Sequence, residues 1–114
     1  MQSLQDGLVE WATEAFGRET IDDRKQRAMR CLEEAVELAQ ALGVDEAACH
    51  RQVVHTYGRP VGDPAQEVAG VINGALMAAE SIGVDGLLMA EAELERVWLC
   101  IDAIRVKQLA KVQP

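Results

Sequence analysis

Apolar residues recur at helical spacing along almost the whole chain, and this periodicity limits the possible folds more than any other feature. Spacings of three and four residues put one apolar stripe on a helix and suit a seam between helices. No segment shows the apolar–polar alternation of a half-buried strand. We therefore predict an all-α protein. The most regular stripe lies near the C-terminus, at Leu87, Ala90, Leu94, Val97, Ile101 and Ile104.

Cap and stop residues divide this pattern into four major helices and one short helix. The predicted helices cover Leu4–Phe16, a stretch from a Thr20 cap to about Leu42, the short Glu46–Tyr57 after an Asp45 cap, 64 to about 82, and a last long segment after the turn at 83–85. Asp63 followed by Pro64 is the clearest start signal. The helix that follows it is apolar almost all round, which predicts a buried central helix. The expected architecture is a four-helix-bundle-like domain over 1–114, with one extra short helix.

Composition and charge exclude several classes of function. The 114 residues are 49% apolar and 26% charged, as in a folded domain, and the formal net charge is −8. Nucleic-acid binding depends on Lys and Arg side chains that neutralise phosphates, so no nucleic-acid partner is expected. No apolar run is long enough to cross a membrane, and the N-terminus lacks the pattern of a signal peptide. The three cysteines are widely spaced, which favours free thiols in the core of a cytoplasmic protein.

Three glutamates share one face of the predicted second helix. Glu33 and Glu37 are four residues apart, and Glu34 and Glu37 are three apart, so their carboxylates can converge. Like charges at these spacings repel each other unless a cation lies between them. Mg²⁺ prefers oxygen ligands and is the cation that such a cluster would bind. A solvated helix face, with Arg30 as an ion-pair partner, is the alternative.

Glu67 is a second acidic feature, in the first turns of an otherwise apolar helix. It shares a face with the small residues Gly70, Gly74 and Ala78, along which another helix or a ligand can lie closely. The helix dipole or Arg59 in the preceding loop would also stabilise a carboxylate there. Taken with the three glutamates, Glu67 predicts a divalent-metal site between the two helices.

These acidic residues resemble a known motif. EEAVE at 33–37, followed by Glu67-Val-Ala-Gly70, is similar to the EExxE…ExxD signature of the MazG-like all-α nucleoside triphosphate pyrophosphohydrolases. The helix order, GRPVGDPAQEVAGV and the closing ERVWLCIDAIRVKQLAK resemble a MazG-like subgroup of phage and bacterial genomes, so the likeness covers roughly 27–111. The resemblance implies a homodimer or homotetramer. It also implies hydrolysis of the α–β bond of an NTP or dNTP, giving a monophosphate and pyrophosphate.

The resemblance further implies roles for individual residues. Glu34, Glu37 and Glu67 match ligands of Mg²⁺, for which Mn²⁺ can substitute, and Glu33 matches a glutamate that orients or deprotonates the attacking water. The final Asp of ExxD is Gly70 here, so one carboxylate is missing. Two hypotheses follow. One is a Mg²⁺-dependent pyrophosphohydrolase that controls nucleotide pools, and the other is a non-catalytic oligomerising helical protein whose metal site is degraded at Gly70.

Four further residues are candidates for binding the nucleotide. Basic residues near the end of the last helix hold phosphates in the relatives, which implies this role for Arg105 and Lys107, with Lys111 beyond them. Cations there are also favoured by the helix dipole alone. Asn73 offers a neutral oxygen one turn beyond the glycine, or an amide contact between helices. Trp98 can stack on a base or pack in the core.

Overall fold

The computed structural model describes residues 2–114, which contain seven α-helices and no strand. The all-α prediction is therefore confirmed. The helices are α1 (Leu4–Phe16), α2 (Arg18–Asp22), α3 (Arg24–Ala41), α4 (Glu46–Tyr57), α5 (Pro64–Ser81), α6 (Gly86–Leu99) and α7 (Ile101–Gln108).

Aspartate caps fix the starts of four successive helices. In each case the carboxylate accepts a hydrogen bond from the backbone N–H three residues later, which satisfies a donor that has no partner inside the helix. The donor–acceptor distances are 3.2, 2.8, 3.0 and 3.1 Å at Asp23, Asp45, Asp63 and Asp85. Gly43 and Gly83, at φ 92° and 73°, follow the ends of α3 and α5 in a conformation that favours glycine.

The predicted start of the second major helix is wrong. Thr20 lies inside α2, and its hydroxyl donates to the Phe16 carbonyl at 3.3 Å. Asp23 caps α3 instead, because its carboxylate accepts from the backbone N–H of Gln26. A shorter, separate helix therefore precedes α3.

The predicted last long helix is also divided. Cys100 lies between α6 and α7 with φ −125° and ψ 32°, outside helical geometry. Its thiol donates to the Arg96 carbonyl at 3.2 Å, and its backbone N–H donates to the Val97 carbonyl, three residues back. These local hydrogen bonds replace the regular helical pattern.

The best-packed part of the molecule surrounds α1, which contacts α2, α6 and α7. Gly7 and Ala15, both on α1, are the residues classed as buried within 2–114. The approach of α6 is close at Gly7, where an added Cβ would lie 2.9 Å from Leu94 Cδ2. Arg105 on α7 donates to the carbonyls of Glu14 and Ala15, at 2.7 and 2.9 Å, and so caps the last turn of α1.

The remaining helices form two arms. α3 packs on α2 and α4, whereas α5 packs on α6. Over the described residues, α5 contacts neither α3 nor α4. The prediction of a buried central helix is therefore wrong for the single chain, since α5 contains no buried residue. The radius of gyration is 15.2 Å, against about 13 Å for a compact domain of this length.

Two smaller expectations can also be compared with the structure. Among the helices described, none is by itself long and apolar enough to cross a membrane; α5 and α6 pass that test only as a pair bent by 102°. The cysteines are free thiols, as predicted, but Cys31 is exposed instead of packed in a core.

Replacing the cap of α5 tests whether local sequence fixes this helix start. We expect Asp63→Ala to lower the free energy of unfolding by about 1 kcal/mol, because the Gln66 N–H loses its acceptor. Asp63→Ser retains a cap and should differ from wild type by less than about half that amount. Urea unfolding followed by circular dichroism, at one protein concentration, measures both. Equal losses in the two variants would contradict the role of the cap.

Candidate carboxylate site on α3

Three carboxylates converge on the exposed side of α3. Oxygens of Glu33, Glu34 and Glu37 all lie within 4.8 Å of one another. The helix causes this arrangement, since residues three and four apart share a face. The structure thus brings together three of the four predicted acidic site residues. Within this cluster, Glu34 and Glu37 are exposed, whereas Glu33 is half-buried.

Glu33 is half-buried because the C-terminal tail, residues 109–114, crosses α3. Lys111 Nζ donates to Glu33 Oε1 at 2.7 Å, and Arg30 Nη1 lies 3.8 Å from the same oxygen. Arg30 also donates to the Val112 carbonyl, and the side chains of Gln26 and Gln113 form a hydrogen bond. These contacts place a cation directly beside the carboxylate cluster.

The environment separates the proton affinities of two neighbouring glutamates. The hydrogen bond from Lys111, helped by the charges of Lys111 and Arg30, lowers the pKa of Glu33 despite its partial burial. Partial burial, followed by repulsion from Glu37 and Glu33, raises the pKa of Glu34. Lys111 offsets this rise in part, and Glu93 adds to it. Glu33 is therefore the stable anion, and Glu34 is the carboxylate that most needs a cation.

Two arginines lie on α3 just before the glutamates. Arg27 Nε and Nη2, and Arg30 Nε and Nη1, are buried atoms without a hydrogen-bond partner. Burial, followed by the charge of Arg30, lowers the pKa of Arg27. Buried donors without acceptors are unfavourable, so these guanidinium groups lower the stability of this part of α3. The sequence indicated only an ion pair for Arg30 and no role for Arg27, although both precede Glu34 by helical spacing.

Glu67 is not part of the cluster within one chain. It lies exposed in the first turn of α5, and α5 does not contact α3. Its carboxylate folds over the preceding loop, where a Cβ added to Gly62 would lie 2.7 Å from Glu67 Oε1. The predicted metal site between two helices is thus not assembled by a single copy of the described chain.

The remaining candidates are dispersed. The guanidinium group of Arg105 donates to two backbone carbonyls at the end of α1. Its Nη1 also donates to Asp102 Oδ1 at 3.1 Å. Lys107 is exposed on α7, Asn73 is exposed in the middle of α5, and Trp98 is 39% exposed on α6. Their roles in binding a nucleotide stay predictions, and the basic residues that reach Glu33 are Lys111 and Arg30.

The cluster offers three carboxylate oxygens, the type of ligand that hard divalent cations such as Mg²⁺ and Ca²⁺ take. Mg²⁺–oxygen distances of about 2.1 Å place octahedral ligands about 3 to 4.2 Å apart. The three carboxylate oxygens lie within 4.8 Å of one another, slightly more than the widest of these separations. Three carboxylates exceed the one or two that Mg²⁺ usually takes from a protein, which leaves positions for phosphate oxygens and water.

Comparison with known proteins gives no match among family models, curated proteins or solved structures.

Because the pKa of Glu34 is raised, we predict that its contribution to the stability of the folded protein depends on pH. The folded state favours the protonated form of Glu34. This preference stabilises the folded protein below the ordinary carboxyl pKa, and the stabilisation is lost as the pH rises through the pKa of Glu34 in the folded state. In EDTA, Glu34→Gln should therefore be more stable than wild type at neutral pH. The difference should disappear near about pH 4, where the ordinary carboxyl protonates.

Thermal unfolding at the two pH values measures this difference, and Glu46→Gln on α4 controls for loss of a surface charge. A constant difference between Glu34→Gln and wild type at both pH values would contradict the assignment.

Proposed function

We propose that this protein is a Mg²⁺-dependent nucleoside triphosphate pyrophosphohydrolase. The observation that carries the proposal is the convergence of Glu33, Glu34 and Glu37 within 4.8 Å. These residues form the EEAVE segment that resembles the EExxE motif of the MazG-like enzymes. The adjacent Lys111 and Arg30 add the positive charge that a polyphosphate needs.

Each residue of the cluster has a distinct task in this proposal. Glu34 and Glu37 hold the ion, which when bound neutralises and orients the phosphates. Glu33 stays ionised because Lys111 and Arg30 lower its pKa, and its oxygens orient the attacking water. Water forms a new P–O bond at the α-phosphorus while the α–β bridging bond breaks. The products are a monophosphate and pyrophosphate, and the proton of the water passes to solvent.

The proposal includes assembly as a homodimer or homotetramer in the cytoplasm. A four-helix bundle would be completed by helices of more than one copy. The lack of contact between α3 and α5 in one chain supports this, because Glu67 can join the cluster only if another copy provides α5 or if the arms close.

A second candidate function is a non-catalytic scaffold. Two observations favour it: Gly70 replaces the aspartate of the ExxD motif, and Glu33 already has Lys111 as a cationic partner. In that case the glutamates would hold the tail in place without a metal ion. Both functions use the same fold, so activity decides between them.

Pyrophosphate release from a panel of NTPs and dNTPs, with Mg²⁺ or Mn²⁺, is the deciding measurement. We expect Glu37→Gln to lower kcat/KM by at least about 100-fold, because second-sphere changes alone often reach that size. Glu46→Gln, an exposed acidic residue of α4, is the matched control and should retain activity. No metal-dependent release from any nucleotide, with no rise in melting temperature on adding Mg²⁺, would refute the enzyme.

Restoring the motif residue tests the gap at Gly70. No atom of the neighbouring structure lies within 4 Å of a Cβ added there, so Gly70→Asp fits the single chain without a clash. If the natural site lacks a ligand, we expect this variant to bind Mn²⁺ about 10-fold more tightly or more. Calorimetric titration with Mn²⁺ measures the change, and Gly70→Asn separates added charge from added bulk. Equal affinity in all three proteins would place residue 70 outside the metal site.

A further inference from the structure

The C-terminal tail, residues 109–114, reaches α3 through polar side-chain contacts. Within residues 2–114, α7 does not contact α3, and neither Val112 nor Gln113 joins a backbone–backbone hydrogen bond. Three contacts join the tail to α3: Lys111 with Glu33, the Val112 carbonyl with Arg30, and Gln113 with Gln26. The tail is therefore attached to the carboxylate helix by side chains, without regular secondary structure.

Little apolar burial opposes release of the tail. Leu109 and Val112 are 87% and 70% exposed. The ion pair between Lys111 and Glu33 is partly open to water, with 26% and 31% of the two side chains exposed. An ion pair that water reaches contributes little, because solvent screens it and two long side chains must be ordered. The tail can therefore leave α3 without disrupting a core.

Lys111 occupies a carboxylate that the proposed function needs. Its ammonium group has three donors and no acceptor, so it competes for the lone pairs of carboxylate oxygens. While Nζ lies 2.7 Å from Glu33 Oε1, one lone pair of that oxygen accepts from lysine and not from water. The cost to catalysis rests on the proposed function, in which Glu33 orients the attacking water.

A divalent ion on the same cluster would lie close to the lysine ammonium. The carboxylate oxygens of Glu33, Glu34 and Glu37 lie within 4.8 Å of one another. An ion held among these oxygens, at about 2.1 Å from each, would lie within roughly 7 Å of Nζ. That is less than the screening length of about 8 Å in physiological salt, so the two cations repel each other. Lys111 and the ion therefore weaken each other's binding by the same factor.

Arg30 differs from Lys111 because it belongs to α3 itself. Its Nη1 lies 3.8 Å from Glu33 Oε1, farther away than Lys111 Nζ, and it cannot move away with the tail. Release of the tail therefore frees the carboxylate but leaves one cation beside it. Arg30 would also lose the Val112 carbonyl as an acceptor, which favours return of the tail when the ion leaves.

We propose that the C-terminal tail is an autoinhibitory segment, in which Lys111 holds Glu33 as a tethered cation until a divalent ion at the carboxylate cluster displaces it. Gln108 ends α7 three residues before Lys111, so the ammonium stays near the cluster after release. The cluster is then blocked at low divalent-ion concentration and free at high concentration.

Affinity for Mn²⁺ in the absence of nucleotide tests the competition. We expect Lys111→Met, and a chain that ends at Gln108, to bind Mn²⁺ at least about 5-fold more tightly than wild type, because the competing cation is gone. Lys25→Met is the matched control, since Lys25 is exposed on α3 about 12 Å before Glu33 along the helix. Calorimetric titration measures all four proteins. Equal affinity in wild type and Lys111→Met overturns the proposal.

Removing Glu33 separates the contact from a general effect of charge. In a Glu33→Gln background, Lys111→Met should change the Mn²⁺ affinity by less than about 2-fold, because the lysine has already lost its carboxylate. The same gain in both backgrounds would mean that Lys111 acts through net charge alone, which also overturns the proposal.

Nuclear magnetic resonance follows the tail itself in wild type. Relaxation of the ¹⁵N amides of Val112 and Gln113 should give order parameters of about 0.85 in EDTA, and below about 0.6 with saturating Mg²⁺ at constant ionic strength. Shifts of the Glu34 and Glu37 amide signals report whether Mg²⁺ is bound. In Glu37→Gln, which weakens the metal site, the same Mg²⁺ concentration should release less of the tail. A tail that is mobile in EDTA, or that stays ordered with Mg²⁺ bound, overturns the proposal.

These measurements also separate the autoinhibitory segment from the enzyme. Release of the tail by Mg²⁺ in a protein that hydrolyses no nucleotide supports displacement of Lys111 and refutes the enzyme. Metal-dependent hydrolysis with a tail that stays ordered supports the enzyme and refutes the autoinhibitory segment. The absence of Mg²⁺ and Mn²⁺ binding in both wild type and Lys111→Met refutes both.

Discussion

A helix that is apolar around most of its circumference is stabilised when other segments cover it, and α5 is such a helix. In one chain it touches only α6, and none of its residues is buried. Each arm presents an apolar surface that the other arm does not cover. Burial of these surfaces by a second copy would contribute about 25 cal/mol for each Å² of apolar area removed from water.

The carboxylate cluster places a second constraint on the structure, and this one is electrostatic. Three glutamates within 4.8 Å repel one another, and the structure compensates with Lys111 and Arg30 on one side only. Glu33 is satisfied by these cations, whereas Glu34 lies beside two like charges and is partly desolvated, which raises its pKa. A divalent ion and a polyphosphate together would match the uneven distribution, since the ion meets Glu34 and Glu37 while the basic residues face phosphate oxygens.

The parts of the fold that depend on neighbouring residues were predicted well from the sequence. Asp45 and Asp63 begin α4 and α5 as expected, because a cap needs only the next three residues. The break at Cys100 was missed because its thiol bonds to the backbone in place of regular helical geometry. The burial expected for α5 failed because α6 is the one helix that packs on α5 among the described residues, and which helices pack on each other cannot be read from the pattern of a single helix.

The carboxylate site also combines a feature that depends on neighbouring residues with one that depends on distant residues. Convergence of the three glutamates follows from helix geometry, but the contact between Lys111 and Glu33 joins residues 78 apart in sequence. The last six residues thus belong to the neighbourhood of the cluster, although they lie outside every helix. A purification tag fused after Pro114 would be tethered three residues from Lys111 and could displace it from Glu33. A tag before Gln2 would extend from α1 instead, so the choice of terminus determines whether a recombinant protein keeps its native carboxylate environment.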